Sequence, residues 1–365
     1  MMKSIRQIQR PFLLPFSFFF WIAVMIRNLL FDLHILRSTS FCTPLISIGN
    51  ITVGGTGKTP HVEMLVRFLR QDYKLAVLSR GYKRKSAGFI LATGHSRLSD
   101  IGDEPLQIKM KFPEIQVAVD NSRVHGVKKL MEIKHRPDVI ILDDAYQHRY
   151  IKPGLSVLLI DYNRPVFKDV LLPAGNLREP AVNCRRADII IITKCPPNLS
   201  PGERKRFIEK LHREKRQHLY FTAYAYGQPE SVFPGRKKHV SVPSFKHLRK
   251  SNAGILLVTG IAEPKPILQF LEEFLHIGDS VFFPDHHQFD KQDLQDISKR
   301  FQSIPGTEKY ILVTEKDAMR LRDLEMDEQL KRALLYIPVE VKFLAKGEKP
   351  FYKRILKIIK KASVK

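Results

Sequence analysis

The chain has 365 residues, long enough for two domains, and its 44% hydrophobic content is sufficient for ordinary cores. A net charge of +24 and a pI of about 9.9 favour a polyanionic partner, whether nucleic acid, an anionic membrane surface or a phosphorylated substrate. Three scattered cysteines (Cys42, Cys184, Cys195) without a Cys-x-x-Cys pair argue against a disulfide scaffold and a zinc site and for a reducing compartment.

Residues 1–10 carry Lys3, Arg6 and Arg10, and residues 11–26 form a nearly unbroken apolar run with Phe12, Phe16, Phe18, Phe19, Phe20 and Trp21. At roughly 16 residues the run falls short of the ~20 needed to span a bilayer. A signal peptide fits the flanks, but no small-x-small cleavage site follows. A buried core helix is the other rival. The preferred expectation is a helix in the membrane interface, with its aromatic side down and basic residues at the headgroups.

The strongest signal comes next. An apolar run (Ile46-Ser47-Ile48) reads as a buried strand, followed by the glycine turn Thr52-Val53-Gly54-Gly55-Thr56-Gly57-Lys58-Thr59 and a helical pattern over residues 60–70. Strand, glycine loop, Gly-Lys-Thr and helix make a phosphate cradle, in which Lys58 reaches the β/γ-phosphates and the Thr59 hydroxyl serves Mg²⁺. The strict pattern wants glycine where Thr52 stands, so Gly54 and Gly55 must supply the backbone freedom. A second strand over residues 74–79 ends in the basic loop Arg80-Gly81-Tyr82-Lys83-Arg84-Lys85, placed to grip substrate phosphate.

Asp103 and Glu104 open a helical pattern, where acids are favoured as caps whatever else they do. The run Asp138-Val139-Ile140-Ile141-Leu142-Asp143-Asp144 is an apolar strand ending in two carboxylates, the Walker B arrangement that organises Mg²⁺ beside the cradle threonine. His148, nearby on the loop, is read as structural. Further strands are expected at residues 155–161 and 187–193. Thr193-Lys194-Cys195-Pro196 resembles a guanine-reading motif without its aspartate, and Thr314-Glu315-Lys316-Asp317 has its lysine one place late. Guanine specificity is thus unsupported, and ATP is the default nucleotide.

Helices and strands alternate from residue 45 to about 215, which implies an α/β fold with a P-loop NTPase-type, doubly wound, mostly parallel sheet. Past residue 228 the chain turns rich in Pro, Ser and basic residues, and strand patterns at 254–259, 279–283, 310–313 and 335–341 imply a second, smaller α/β domain. The expected organisation is 1–40 membrane-associated helix, 41–225 P-loop core, and 226–365 linker and smaller domain. Asp285-His286-His287 ends one late strand. Adjacent histidines on an extended chain cannot face the same way, which disfavours a two-histidine metal site. A solvent-exposed loop and one histidine doing proton work both remain open. The terminal stretch with Tyr352, Ile355, Leu356 and Ile359 among lysines suits either an anionic surface or packing on the second domain.

Together, Gly49-Asn50 through Pro60, Ser79-Arg80-Gly81-Tyr82, Gly102-Asp103-Glu104-Pro105, Leu142-Asp143-Asp144, Asn176-Leu177-Arg178-Glu179-Pro180, Asp285-His286-His287 and Thr314-Glu315-Lys316-Asp317 resemble the tetraacyldisaccharide 4'-kinase family over nearly the whole chain. The family shares Thr52 but usually has Asp-Asp-Gly-Phe-Gln-His where this chain has Asp143-Asp144-Ala145-Tyr146-Gln147-His148. The resemblance implies ATP- and Mg²⁺-dependent phosphorylation of the 4'-hydroxyl of a tetraacyl glucosamine disaccharide 1-phosphate in lipid A biosynthesis. It implies a monotopic enzyme on the cytoplasmic face of the inner membrane, acting on an acylated disaccharide phosphate lipid and on no nucleic acid. It makes Asp103 the general base with His286 as partner, and Thr59, Glu104 and Asp143 magnesium ligands. Asp143 and Asp144 then support metal and γ-phosphate, residues 52–59 bind ATP, and Arg178 and Glu179 lie in the active site. The competing class is a membrane-associated P-loop NTPase switch acting on a protein partner, which would transfer phosphate to water without an acceptor hydroxyl.

Overall fold

The computed structural model describes residues 2–233, 242–285 and 287–363, without the side chains of residues 2–10 and 363. In chain order the strands are β1 (Leu45–Gly49), β2 (Leu75–Ser79), β3 (Ile90–Leu91), β4 (Gln116–Val119), β5 (Val139–Asp143), β6 (Leu155–Asp161) and β7 (Ile189–Thr193). They continue with β8 (His218–Tyr226), β9 (Glu230–Ser231), β10 (Gly254–Thr259), β11 (Asp279–Phe282), β12 (Lys309–Thr314), β13 (Leu334–Ile337) and β14 (Val339–Phe343). The larger sheet runs β14-β8-β7-β6-β1-β5-β2-β4-β3 and the smaller β11-β10-β12-β13-β9. In the larger sheet only the edge strands β14 and β3 pair antiparallel. In the smaller sheet only β9 does.

The central strands β1, β2, β5 and β7 are buried along their whole length. Helices cover both faces of a parallel sheet, so its strands are apolar without alternation, which is why they were readable as runs of Ile, Leu and Val. Placing β1 between β5 and β6 is what matters for the site. Ile48 lies in register with Asp143, so the loop after β1 and the acids after β5 emerge side by side at the carboxyl ends of neighbouring strands.

The chain leaves the larger sheet after Tyr226 and returns to it at Val339. The single strand expected over residues 335–341 is two: Leu334–Ile337 joins the smaller sheet, Pro338 interrupts it, and Val339–Phe343 pairs with β8. Proline has no N–H to continue a ladder, which suits the switch of sheet. The last helix, Glu348–Ser363, then packs on the larger sheet, with Phe351, Ile355 and Ile359 essentially inaccessible in its core and Tyr352 stacked on Phe68 at 3.7 Å. Residues 339–363 therefore belong structurally to the larger unit, not to the smaller domain expected over 226–365. The apolar stripe of this helix is already buried, each such side chain contributing about 1.5–3 kcal/mol. That stripe is therefore covered neither by an anionic surface nor by the second domain, the two alternatives the sequence leaves open for it, but by the larger sheet.

The N-terminal helix spans Met2–Asp32, with Pro11 and Pro15 inside it. The apolar run does not stop at residue 26, and the 22 residues Pro11–Asp32 are long and apolar enough to cross a membrane by length and composition. One stripe rests on the protein: Ser17, Asn28 and Phe31 are buried, and Phe20 packs against the core beside β6 and β7. The remaining circumference is aromatic and open, with Phe12 78% and Phe19 68% exposed and Phe16, Phe18, Trp21 and Ile26 among them.

Candidate active site

Gly54 and Gly57 adopt left-handed backbone at φ 89° and 88°, a conformation cheap only for glycine. A Cβ on Gly57 would also lie 2.3 Å from the Tyr224 hydroxyl oxygen. The helix Lys58–Leu69 starts there without a side-chain cap, leaving its first amides to an anion. The loop is held from outside by its carbonyls. Lys194 Nζ donates to Gly55 O at 2.6 Å, Thr193 Oγ1 to Thr56 O at 2.9 Å, and the Arg178 amide to Ile51 O at 2.7 Å. Asn50 Nδ2 donates to Thr56 Oγ1 at 2.7 Å. Peptide planes tied by their carbonyls present N–H groups on the other side, as an anion nest requires. The Thr-Lys segment that fails as a guanine reader is thus a latch on the phosphate loop, with Asp161 anchoring Lys194 at 2.8 Å.

Lys58 Nζ lies 3.7 Å from Asp144 Oδ1, and Arg178 Nη1 3.2 Å from Asp144 Oδ2. Burial pushes the Asp144 carboxyl up, but Lys58 and Arg178 outweigh it and hold it below the ordinary range. Its neighbour behaves oppositely. Burial first, then Asp144, push Asp143 up to about 6. Ser79 Oγ donates to Asp143 Oδ2 at 3.2 Å, while Oδ1 is buried without a hydrogen-bond partner. The turn bearing both acids is clamped by the buried Arg123, which donates to the carbonyls of Asp120 and Asp143 at 2.9 and 3.0 Å. No local signal in the sequence marks Arg123 as the clamp.

Asp103 and Glu104 open the helix Asp103–Lys111 and meet the smaller domain's helix Glu315–Leu321. Arg320 donates to Asp103 Oδ2 from Nη2 at 2.6 Å and Nε at 2.9 Å, while Asp317 and Gly260 O orient the guanidinium. Lys316 Nζ donates to Glu104 Oε1 at 2.7 Å; burial pushes this carboxyl up, but the charge and hydrogen bond of Lys316 together outweigh it and hold it below its usual range. Glu104 in turn acts on Asp143, which places it within electrostatic reach of the β5 acids. Thr314-Glu315-Lys316-Asp317 is therefore a hook between domains: Thr314 caps the helix, Glu315 and Lys316 reach across, and Asp317 aims Arg320. Arg320 itself was missed, and only its spacing of three from Asp317 on a helix hints at it.

The remaining candidates divide. Glu179 is buried and taken by Asn183 and Arg186 at 2.7 and 2.6 Å, with no described bond to the phosphate loop, whereas Arg178 reaches Asp144. His286 lies outside the described residues. His287 is committed elsewhere, bonded to Asp293 at 2.6 Å and stacked on Phe283 at 4.5 Å. His148 is pushed down to about 4 by burial and by Arg123, Arg80 and Arg27, so it is neutral at pH 7. The hard oxygens of Thr59 and Asp143, one of them an orphaned buried carboxylate oxygen, suit Mg²⁺, which takes one or two carboxylates and completes its shell with phosphate and water.

Residues 9–360 match the family described as tetraacyldisaccharide-1-P 4'-kinase (LpxK). The chain belongs to this family. It is 46% identical to the tetraacyldisaccharide 4'-kinase of Parabacteroides distasonis, covering 95% of this chain and 94% of the relative. It is 45% identical to that of Bacteroides thetaiotaomicron, covering 94% and 92%. Among solved structures it resembles LpxK from Aquifex aeolicus in complex with ATP, at a TM-score of 0.73 and 27% identity, covering 96% of this chain and 99% of that one. Matches of this length take in the N-terminal helix, the phosphate loop, both β5 acids and the interdomain hook of this 4'-kinase family member.

Proposed function

We propose that the protein transfers the γ-phosphate of ATP to the 4'-hydroxyl of a tetraacyl glucosamine disaccharide 1-phosphate in lipid A biosynthesis. The observation that carries this reading is the phosphate loop set beside Asp143 and Asp144 within a chain that matches the family over residues 9–360. The amides of residues 52–59 and Lys58 cradle the donor phosphates. Thr59 and Asp143, with Glu104 alongside, would hold Mg²⁺, which neutralises charge on the transferring phosphoryl group. Asp144, fixed between Lys58 and Arg178, keeps both cations aimed at the donor.

Asp103 accepts the proton of the sugar hydroxyl, with His286 as its partner. A carboxylate suffices as acceptor because phosphoryl transfer has a loose transition state and the proton leaves late. Closing of the two domains around the site would exclude water and favour a sugar acceptor over hydrolysis. The N-terminal helix associates the enzyme peripherally with a membrane. We assign this to the cytoplasmic face of the inner membrane, where the acylated substrate is anchored and ATP is supplied, and no nucleic acid is involved. The test is transfer of labelled γ-phosphate to a lipid A disaccharide precursor in detergent. Label appearing as free phosphate at the same rate with and without acceptor would instead support a switch-type NTPase.

A further inference from the structure

We propose that the N-terminal helix is a brace of the nucleotide site as well as a membrane contact, with Arg27 and Gln147 as its positioning residues. The inference rests on the reading of residues 52–59 as the ATP cradle.

The helix touches two loops, and each leads to a wall of that cradle. At one point the buried Ser17 hydroxyl donates to Leu171 O and accepts from the Ala174 amide, both at 3.0 Å. That loop folds back through Leu172 N to Leu177 O at 2.9 Å, Leu177 bridges to Thr52, and Val53 N donates to Asn176 O at 2.8 Å. At the other point Arg27 Nη2 donates to Gln147 O at 2.9 Å, with its guanidinium 5.4 Å from the Phe31 ring centre. Gln147 then spends its side chain on the site. Its Nε2 donates to Asn50 O at 2.6 Å, at the root of the phosphate loop, and its Oε1 accepts from Arg178 at 3.5 Å. Asn50 carries the link on to Thr56, and Arg178 carries it to Asp144. Arg149, two residues on, fastens the same loop to Asn28 and Asp32 at 2.9 and 2.6 Å.

Ser17 and Arg27 lie about 15 Å apart along one continuous helix. A rod of that length pinned to both loops fixes their separation, and both loops meet the start of the phosphate cradle, one at Thr52 and Val53, the other at Asn50. Gln147 sits where the chain after the β5 acids meets the loop after β1, so it transmits the position of the helix to the loop carbonyl. Sequence alone gives Arg27 as an interruption of an apolar run, with nothing to tie it to residue 147.

The test uses the full-length protein in detergent and on anionic vesicles. Arg27→Met, Gln147→Leu, the double variant and Arg27→Lys are compared for affinity toward a non-hydrolysable ATP analogue, for vesicle sedimentation and for thermal midpoint. Each single variant is expected to weaken analogue binding about threefold to tenfold, the range for one lost hydrogen bond. The double variant should be no weaker than the worse single, because both act through one link. Arg27→Lys, which keeps a donor but loses the planar group over Phe31, should lose less affinity than Arg27→Met, and sedimentation should be unchanged throughout. Unchanged analogue affinity in both singles, losses that multiply in the double, or loss of sedimentation alone would overturn the brace. Analogue binding is read without acceptor. A wild type that binds analogue but fails to phosphorylate the lipid would overturn the proposed function, and the brace would still be decided by the affinities.

Discussion

Asp143 and Asp144 are adjacent, yet their surroundings push them in opposite directions: burial raises the first to about 6, while Lys58 and Arg178 hold the second down. Two acids on one strand end cannot both carry full charge cheaply unless a cation joins them, so the pair is a site built for cations. Lys58 and Arg178 are the protein's own cations there, and the Lys58 side chain stands at the mouth of the phosphate loop, not in the core. Lys58→Ala is therefore expected to abolish measurable phosphoryl transfer while leaving the thermal midpoint within a degree or two of wild type. A folded variant with near wild-type turnover would remove the cradle assignment. Asp103 is a different case, buried and bonded to Arg320 across the domain boundary. Asp103→Asn should lower kcat by about 10²–10⁴-fold, the usual contribution of a positioned proton acceptor, with ATP-analogue affinity little changed. Loss of analogue binding with turnover per bound ATP intact would make Asp103 a structural partner of Arg320 only.

Among the elements, those whose environment is uniform were legible and those whose environment is chosen by tertiary contact were not. The buried parallel strands announce themselves as unbroken apolar runs, and the phosphate loop announces itself by glycines that only its geometry needs. The terminal helix shows the limit. Its apolar stripe at Phe351, Ile355 and Ile359 says that one face is buried, not whether lipid, the smaller domain or the larger sheet covers it, and the larger sheet does. The Thr193-Lys194 latch and the Thr314–Asp317 hook were visible as motifs but unreadable as contacts, since their partners lie far away in sequence. The N-terminal helix falls between these cases. Its aromatic density was readable, but the stripe of Ser17, Asn28 and Phe31 that seats it on the protein was not separable from the open face. That open face gives a clean experiment. Phe12, Phe16 and Phe19 are exposed, so changing all three to Ser should leave the thermal midpoint unaltered. It should weaken sedimentation with anionic vesicles at least tenfold, since each removes an apolar side chain worth roughly 1.5–3 kcal/mol when fully buried. Binding that survives these changes but is lost in high salt would assign the membrane contact to basic residues instead.

At the scale of the whole molecule, among the described residues two chain crossings and three ion pairs join the two units: Asp103 with Arg320, Glu104 with Lys316, and Lys111 with Glu315. Buried pairs of this kind contribute little net stability, because desolvation offsets their mutual attraction, but removing one partner in place would leave the other charge buried and unpaired. The third pair is unbalanced. Lys111 serves both Glu315 and the fully buried Glu63, whose carboxylate lies 2.7 Å from its ammonium, and Gln107 donates to Glu63 at 2.7 Å. Arg67 stands farther off, 3.8 Å from Glu63. Burial first and Glu63 second push Glu315 up to about 7 from an ordinary 4.5, against the pull of Lys111 and the Val339 amide. Between about pH 4.5 and 7 the folded chain then holds more protons at this position than the unfolded chain does. The contribution of Glu315 to stability accordingly falls as pH rises through that window and is fully adverse above it. Glu315→Gln keeps an acceptor for Lys111 but cannot titrate. The wild type should therefore lose thermal midpoint relative to the variant as pH is raised from 5 to 8, so that wild type minus variant becomes steadily less positive or more negative. A difference that stays flat across the range would show that Lys111 keeps Glu315 ionised throughout, and that closure of the two domains is indifferent to pH at this contact.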